Sequence, residues 1–279
     1  MIERKRFSLN RIIAPSLSLG EFLELTVQAG LRKVELRNDL GARDPVDDMK
    51  PSAFARLAAD HGIEVISINA LQKFNLAAAK ARAADELQRL LDLATAIGCR
   101  AVVLCPNNDP ADSRSETQRI AETVDALGAF GPLFQAAGVL GFVEPLGFAI
   151  SSLASLVAAQ EAIRKSGHSC YRVVHDTFHH FIGPESQGVL GTTYSVSNTG
   201  LVHVSGVEVD IPREACRDEH RILAGPDDRM KSKEQIVRLD ELGYAEDFSF
   251  EPFSPVIQKL GKPELAAAIR KSLDYLTCR

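Results

Sequence analysis

Four side chains that bind hard cations stand at the ends of successive apolar runs in the C-terminal half of the chain. Glu144 follows Gly-Phe-Val, Asp176 follows Val-Val-His, His203 follows Leu-Val, and Glu251 follows Phe-Ser-Phe. A strand-end glutamate taken alone is usually a solvated rim residue or an ion-pair partner, and a lone histidine such as His203 is usually structural. Four in one phase on consecutive strands read differently. Three carboxylates and an imidazole brought to one buried point need a compensating cation. The set is mostly hard. It suits one divalent ion, Mn²⁺ or Zn²⁺ foremost with Co²⁺ or Mg²⁺ compatible, and it does not suit a thiolate-selected metal.

The elements that position these groups follow from periodicity. Short β-branched runs recur at Phe7–Ile12, Lys33–Arg37, Glu64–Ala70, Ala101–Pro106, Val139–Pro145, Arg172–Phe178, Leu201–Gly206 and Asp247–Phe253, with starts 26 to 46 residues apart. That spacing is one βα unit each. Helical periodicity fills the gaps over Ser18–Ala29, Pro51–His61, Leu76–Ile97, Ser115–Ala137, Ser152–Lys165, Lys233–Leu242 and Pro263–Leu276. Between the sixth and seventh runs only a weak helix is expected, over Glu185–Leu190. Gly30, Gly62, Gly98, Gly138 and Gly243 each end a helix and lead directly into an apolar run, as a left-handed cap turning back into a sheet does. Eight such units predict an α/β fold, a (β/α)8 TIM barrel, in a single domain spanning residues 1–279. A doubly wound open sheet is the competitor, but no Gly-x-Gly-x-x-Gly follows the first run.

Barrel strands alternate between the interior and the helix layer. Val34 and Leu36 facing helices leave Glu35 inward. Ile66 and Ile68 facing helices leave Ser67 and Asn69 inward. The same phase turns Cys105, Glu144, Asp176, His203, Ser249 and Glu251 inward, whereas His175 points to the helix layer and His180 is ambiguous. Barrel active sites form at the C-terminal ends of the strands, where these residues lie.

The composition is ordinary for a globular protein: 279 residues, 45% hydrophobic, 25% charged, net charge −5. Mild acidity argues against nucleic acid or an acidic membrane as partner. No stretch reaches the roughly 18 apolar residues of a spanning helix, and no apolar signal core follows the basic N-terminus. The five scattered cysteines form neither a disulfide framework nor a zinc ribbon, so reduced thiols and a cytoplasmic location are expected.

The motifs Phe-Val-Glu144-Pro, His-Asp176-Thr-Phe-His179-His, Val-His203-Val-Ser and Phe-Glu251-Pro-Phe, with Asp218-Glu-His-Arg221 after the seventh run, resemble the xylose-isomerase-like barrels that include sugar isomerases, epimerases and endonuclease IV. Phe-Ser-Leu-Asn10, Val-Glu35-Leu-Arg37 and Ile-Asn69-Ala-Leu-Gln-Lys-Phe-Asn75 are most similar to the inosose isomerases of that group. The resemblance implies one divalent metal held by Glu144, Asp176, His203 and Glu251. It implies an acid–base pair in Glu144 and Glu251, and substrate contacts from His179, Arg221, Glu35, Asn69 and Asn10. One departure stands out: where the family has Pro-Gly-x-Gly after the arginine, this chain has Ala224-Gly225-Pro226-Asp227.

The expected reaction is isomerisation of an inosose-type polyol ketone by proton transfer through an enediolate that the metal stabilises. The partner is a small polyol or sugar, with a homo-oligomer compatible. The stretch after Glu251 is Pro-Phe-Ser-Pro, without the glycines of a phosphate cradle, which favours a non-phosphorylated substrate. Ketose 3-epimerisation and dehydration of an inosose or dehydroshikimate need nearly the same site. Endonuclease IV-like repair is disfavoured, because Asn69 and Cys105 stand where that family places histidines. A non-catalytic binding barrel is the remaining alternative. Arg37, Lys73, Phe74, Phe148 and Phe253 are candidates for the pocket wall, and the long segment 207–232 is a candidate lid.

Overall fold

The computed structural model describes residues 1–41 and 44–278. Eight parallel strands close into a barrel in chain order: β1 (Phe7–Asn10), β2 (Lys33–Arg37), β3 (Glu64–Leu71), β4 (Ala101–Leu104), β5 (Leu140–Val143), β6 (Tyr171–Asp176), β7 (Thr199–Val204) and β8 (Phe248–Phe250). The ring is completed by β1 on β8, with Phe7 opposite Phe248 and Leu9 opposite Phe250. Outside it lie α1 (Leu19–Gln28), α2 (Pro51–Asp60), α3 (Lys80–Ile97), α4 (Glu116–Ala137), α5 (Leu156–Ser166), α6 (Thr177–Ile182), α7 (Ser232–Glu241), α8 (Pro255–Gln258) and α9 (Lys262–Thr277). The chain is a (β/α)8 barrel. Among the described residues no helix is long and apolar enough to cross a membrane.

Local sequence explains the helix limits. Ser18 and Ser115 begin capping boxes with Glu21 and Gln118, and Ser155 caps α5. The five predicted glycine joints all take positive φ, between 62° and 93°, a region that side-chain-bearing residues avoid.

Two apolar layers follow from strand alternation. Leu9, Val34, Leu36, Ile68, Val102, Val143, Val173, Val202, Val204, Phe248 and Phe250 belong to the main core beneath the helices. A smaller cluster of Ile66, Ala70, Ala101, Val103, Cys105, Phe142, Val174 and Leu201 plugs the barrel itself. Each such buried aliphatic side chain contributes about 1.5–3 kcal/mol. The polar site sits above this plug.

Two sequence expectations are corrected. Ile66 faces the barrel interior, not the helices. Pairing steps from Val34–Val65 to Glu35–Ser67, so Ile66 is an extra residue in a bulge that lets Ser67 still turn towards Glu35. The sixth helix is α6 over Thr177–Ile182, directly after β6, and the segment predicted at Glu185–Leu190 holds only a single 3₁₀ turn. The Asp176 carboxylate accepts from the Phe178 and His179 N–H groups and starts the helix there, in spite of its aromatic, β-branched composition.

Candidate metal centre

Glu144, Asp176, His203 and Glu251 come together at the C-terminal mouth of the barrel, each at most 3% exposed. Each offers one ligand atom within 4.8 Å of all the others. His203 Nδ1 lies 2.8 Å from Glu144 Oε1, 3.3 Å from Glu251 Oε2 and 3.8 Å from Asp176 Oδ2. Such separations match donors about 2.0–2.2 Å from one shared ion.

Each position has a local cause. Glu144 and Glu251 extend β5 and β8 by one residue, and their N–H groups bond to Leu104 and Val204 of the neighbouring strands. Asp176 ends β6 and is fixed by capping α6. His203 stands between Val202 and Val204, both in the outer core, so its ring points inward.

The surroundings carry charge in a definite pattern. Arg221 Nη2 donates to Asp176 Oδ2 at 2.6 Å and to Glu251 Oε2 at 2.7 Å. Its Nε reaches Ser205 and its Nη1 reaches Asp218. Arg37 Nη1 donates to Glu251 Oε1 at 2.8 Å, and Asp39 takes the rest of that guanidinium. Phe253 lies against both arginines, 5.2 Å from Arg37 and 4.6 Å from Arg221, and Phe178 covers Arg221 from 5.0 Å. Among these groups Glu35, Glu144, Asp176 and Glu251 are four buried carboxylates against two guanidiniums, each of which also has an outer acidic partner. With all four ionised and His203 neutral, these inner groups carry two more negative charges than positive ones.

That deficit shows in the ionisation. Burial pushes Glu251 up to about 8, with the Glu144 charge in the same sense, against His203, Arg221 and Arg37. Burial alone would lower His203, but Glu251, Glu35 and Glu144 raise it well above its ordinary value. Glu144 and Asp176, buried yet facing His203 and Arg221 respectively, are lowered. Both imidazole nitrogens of His203 face carboxylates: Nε2 lies 3.2 Å from Glu35. Either the ring carries two protons, or a cation takes the place of the one on Nδ1. The four donors therefore fit a divalent ion in number, type, spacing and charge.

The other predicted site residues fall in two groups. His179 and Arg221 reach the cluster region. Phe148 meets the His179 ring edge-on at 5.2 Å and also lines a cavity of about 470 Å³ on this face, with Ile182 and Arg217. Gly147 touches the His179 carbonyl so closely that a Cβ there would lie 2.0 Å from that oxygen. Asn10, Asn69 and Glu35 are engaged with other site residues. Asn10 Nδ2 bonds to Glu35 and Glu251, and Asn69 Nδ2 to Glu251 at 3.4 Å. Glu35, expected as a substrate contact, is fully buried behind His203. His175 bonds to Gln235 on α7, as its outward phase implies. Lys73 is half exposed and pairs with Asp109, and Phe74 lies in the main core, so neither walls the site.

Sequence reasoning missed three contributors. Cys105 Sγ lies 3.4 Å from Glu144 Oε2. Its inward phase was visible, its partner was not. Asp39 and Ser205, which steady the two arginines, carried no signal beyond their nearness to Arg37 and His203.

Residues 23–277 match the family model described as xylose isomerase-like TIM barrel. The chain belongs to the xylose isomerase-like TIM barrel family. Among solved structures, a xylose isomerase domain containing protein from Salmonella typhimurium LT2 is 38% identical, covering 99% of this chain and 98% of its own, with a TM-score of 0.92. An IOLI protein with a bound zinc atom is 20% identical over 97% of both chains, with a TM-score of 0.88. D-psicose 3-epimerase from Clostridium cellulolyticum H10, solved with D-tagatose, is 16% identical over 98% of this chain and 100% of its own, with a TM-score of 0.76. At those lower identities the likeness is one of fold. No curated protein matches the chain.

Proposed function

We propose that this xylose isomerase-like barrel is a divalent-metal-dependent isomerase of an uncharged, inosose-type polyol ketone. The observation that carries the reading is the buried convergence of Glu144, Asp176, His203 and Glu251 on one point. The zinc of the IOLI protein and the sugar of the epimerase, on the same fold, point the same way.

A divalent ion held by these four residues supplies Lewis-acid stabilisation of negative charge developing on substrate oxygens. The chain's own groups do the rest. Glu144 and Glu251 reach the cluster from β5 and β8, almost opposite in the ring. One removes the proton from the hydroxyl-bearing carbon next to the carbonyl, the other returns a proton to the former carbonyl carbon, and the hydroxyl proton passes to the former carbonyl oxygen, so that hydroxyl and carbonyl change places. Arg221 and His179 orient the hydroxyls. Phe178 and Phe253 shield the guanidinium and exclude water.

Charge selects the substrate class. Both buried arginines at the cluster are already paired with carboxylates, so neither is a free cation for a phosphate or carboxylate on the substrate. This favours a neutral polyol over a charged substrate at the cluster. Among the described residues the four-residue cluster is the one metal-ligating group found, which gives no support to a trinuclear DNA-repair centre.

The test is incubation of Mn²⁺-loaded protein with inososes and free ketohexoses in deuterated water. Deuterium at the α-carbon of an inosose with no loss of water supports the isomerase. Exchange confined to a ketohexose C3 favours the epimerase, and loss of water favours the dehydratase. No exchange with any of them removes the catalytic reading.

A further inference from the structure

Glu35 lies on the far side of the His203 ring from the cluster. Its carboxylate is 3.2 Å from Nε2, while Nδ1 faces Glu144, Asp176 and Glu251. Ser67 donates its hydroxyl to Oε2, and Asn10 Nδ2 donates to Oε1 at 3.2 Å. Glu35, Ser67, Asn10 and His203 are all completely buried. Both carboxylate oxygens of Glu35 are thus taken up by His203, Ser67 and Asn10.

We infer that Glu35 is a positioning residue for the metal centre: it holds the proton of His203 on Nε2 and aims the Nδ1 lone pair at the ion. This rests on the metal-centre reading above. The chemistry is specific. An ionised carboxylate is an acceptor only. Facing Nε2, it selects the tautomer with hydrogen there, fixes the ring about its axis, and makes Nδ1 a stronger donor. The β3 bulge at Ile66 has a purpose in this light, because it brings the Ser67 hydroxyl round to Glu35. Asn10 extends the device: the same amide nitrogen that holds Glu35 also bonds to Glu251 Oε1 at 3.1 Å, so one side chain links the positioning carboxylate to one of the four ligands.

The experiment measures Zn²⁺ affinity by competition with a chromophoric chelator in wild type, Glu35→Gln and Ser67→Ala, with thermal unfolding as the check on folding. Wild type should bind one Zn²⁺ per chain. Glu35→Gln should bind it about 10- to 100-fold more weakly, and Ser67→Ala should shift in the same direction by less. A spectroscopic sign separates this role from simple packing: the His203 Nε2 proton, far downfield in zinc-loaded wild type because it donates to a carboxylate, moves upfield in Glu35→Gln. If Glu35→Gln does not fold, Ser67→Ala carries the test with the same two readouts. A wild type that binds one Zn²⁺ and variants within two-fold of it overturn the inference alone. A wild type that binds none overturns the metal centre and this inference with it.

Discussion

A single nitrogen of Arg221, Nη2, bridges Asp176 and Glu251, at 2.6 Å from Oδ2 of one and 2.7 Å from Oε2 of the other. The arginine thus touches two of the four candidate ligand groups while Phe178 and Phe253 both lie against its guanidinium. Removing one partner of a buried ion pair is far costlier than never having built it, because the abandoned charge stays buried. Replacing Arg221 by Met should therefore lower the stability of chelator-treated protein by about 3–5 kcal/mol. Urea denaturation reads this directly, and an unchanged midpoint would show that the bridge contributes nothing.

Glu144→Gln and Glu251→Gln should each reduce turnover on the true substrate by about 10²- to 10⁴-fold, the usual contribution of a positioned acid or base. Circular dichroism should be unchanged in both. Near-normal turnover in either variant would remove that residue from the proton-transfer pair.

The strand phase made much of this site legible. His203 lies between two valines that belong to the outer core, and Glu251 lies one residue beyond Phe250, so their inward direction follows from alternation alone. Ile66 shows the limit, because a bulge is a matter of pairing with β2 and leaves no mark in the β3 sequence. The start of α6 was hidden for a similar reason. By sequence the sixth apolar run extends to Phe178, and a capping contact from Asp176 turns Thr177 and Phe178 into helix instead. Arg221 enters from a loop 45 residues after Asp176, where periodicity says nothing, and only the motif resemblance pointed to it. For Glu35 the direction was visible and the partner was not.

Chelator-treated protein should lose stability as the pH rises. The folded-state value of Glu251 is up at about 8 from 4.5, so folding grows less favourable as the pH climbs between them. His203 is raised above 6.5, and its contribution is complete below that value and lost as pH passes the folded value. Acid acts in the opposite sense through Glu35, brought down to about 2 against the push of its burial by the charge and hydrogen bond of His203. Its contribution is present above 4.5 and lost as pH falls through about 2. Melting scans from pH 3 to pH 9 should show a maximum in weak acid, and added Mn²⁺ should raise the melting temperature more at pH 8 than at pH 6. A metal-induced rise that is the same at both values would contradict this account of the charge deficit.

Gly147→Ala should destabilise the chain by about 1–3 kcal/mol. The added carbon would meet the His179 carbonyl at 2.0 Å, and neither partner is a flexible side-chain tip. A melting temperature equal to that of wild type would mean that the loop after β5 yields freely.

The thiols give a simple count. Cys99, Cys105, Cys170 and Cys216 are buried, and Cys278 is exposed. Burial pushes Cys99 up to about 12 and Cys105 well above its ordinary range. An aromatic disulfide reagent should therefore modify one thiol per native chain quickly and all five after denaturation. Rapid reaction of two or more in the native protein would show that the interior opens.

The closure of β1 on β8 brings residues far apart in the sequence together at the site. Asn10 and Glu251, hydrogen-bonded at 3.1 Å, are 241 positions apart. During synthesis, then, Glu144, Asp176 and His203 leave the ribosome well before the eighth strand and its glutamate exist, while Arg37, already made and paired with Asp39, still lacks its second partner. Assembly of the four-residue cluster is an all-or-none property of the finished ring, and an early fragment of this protein has no partial version of it to offer.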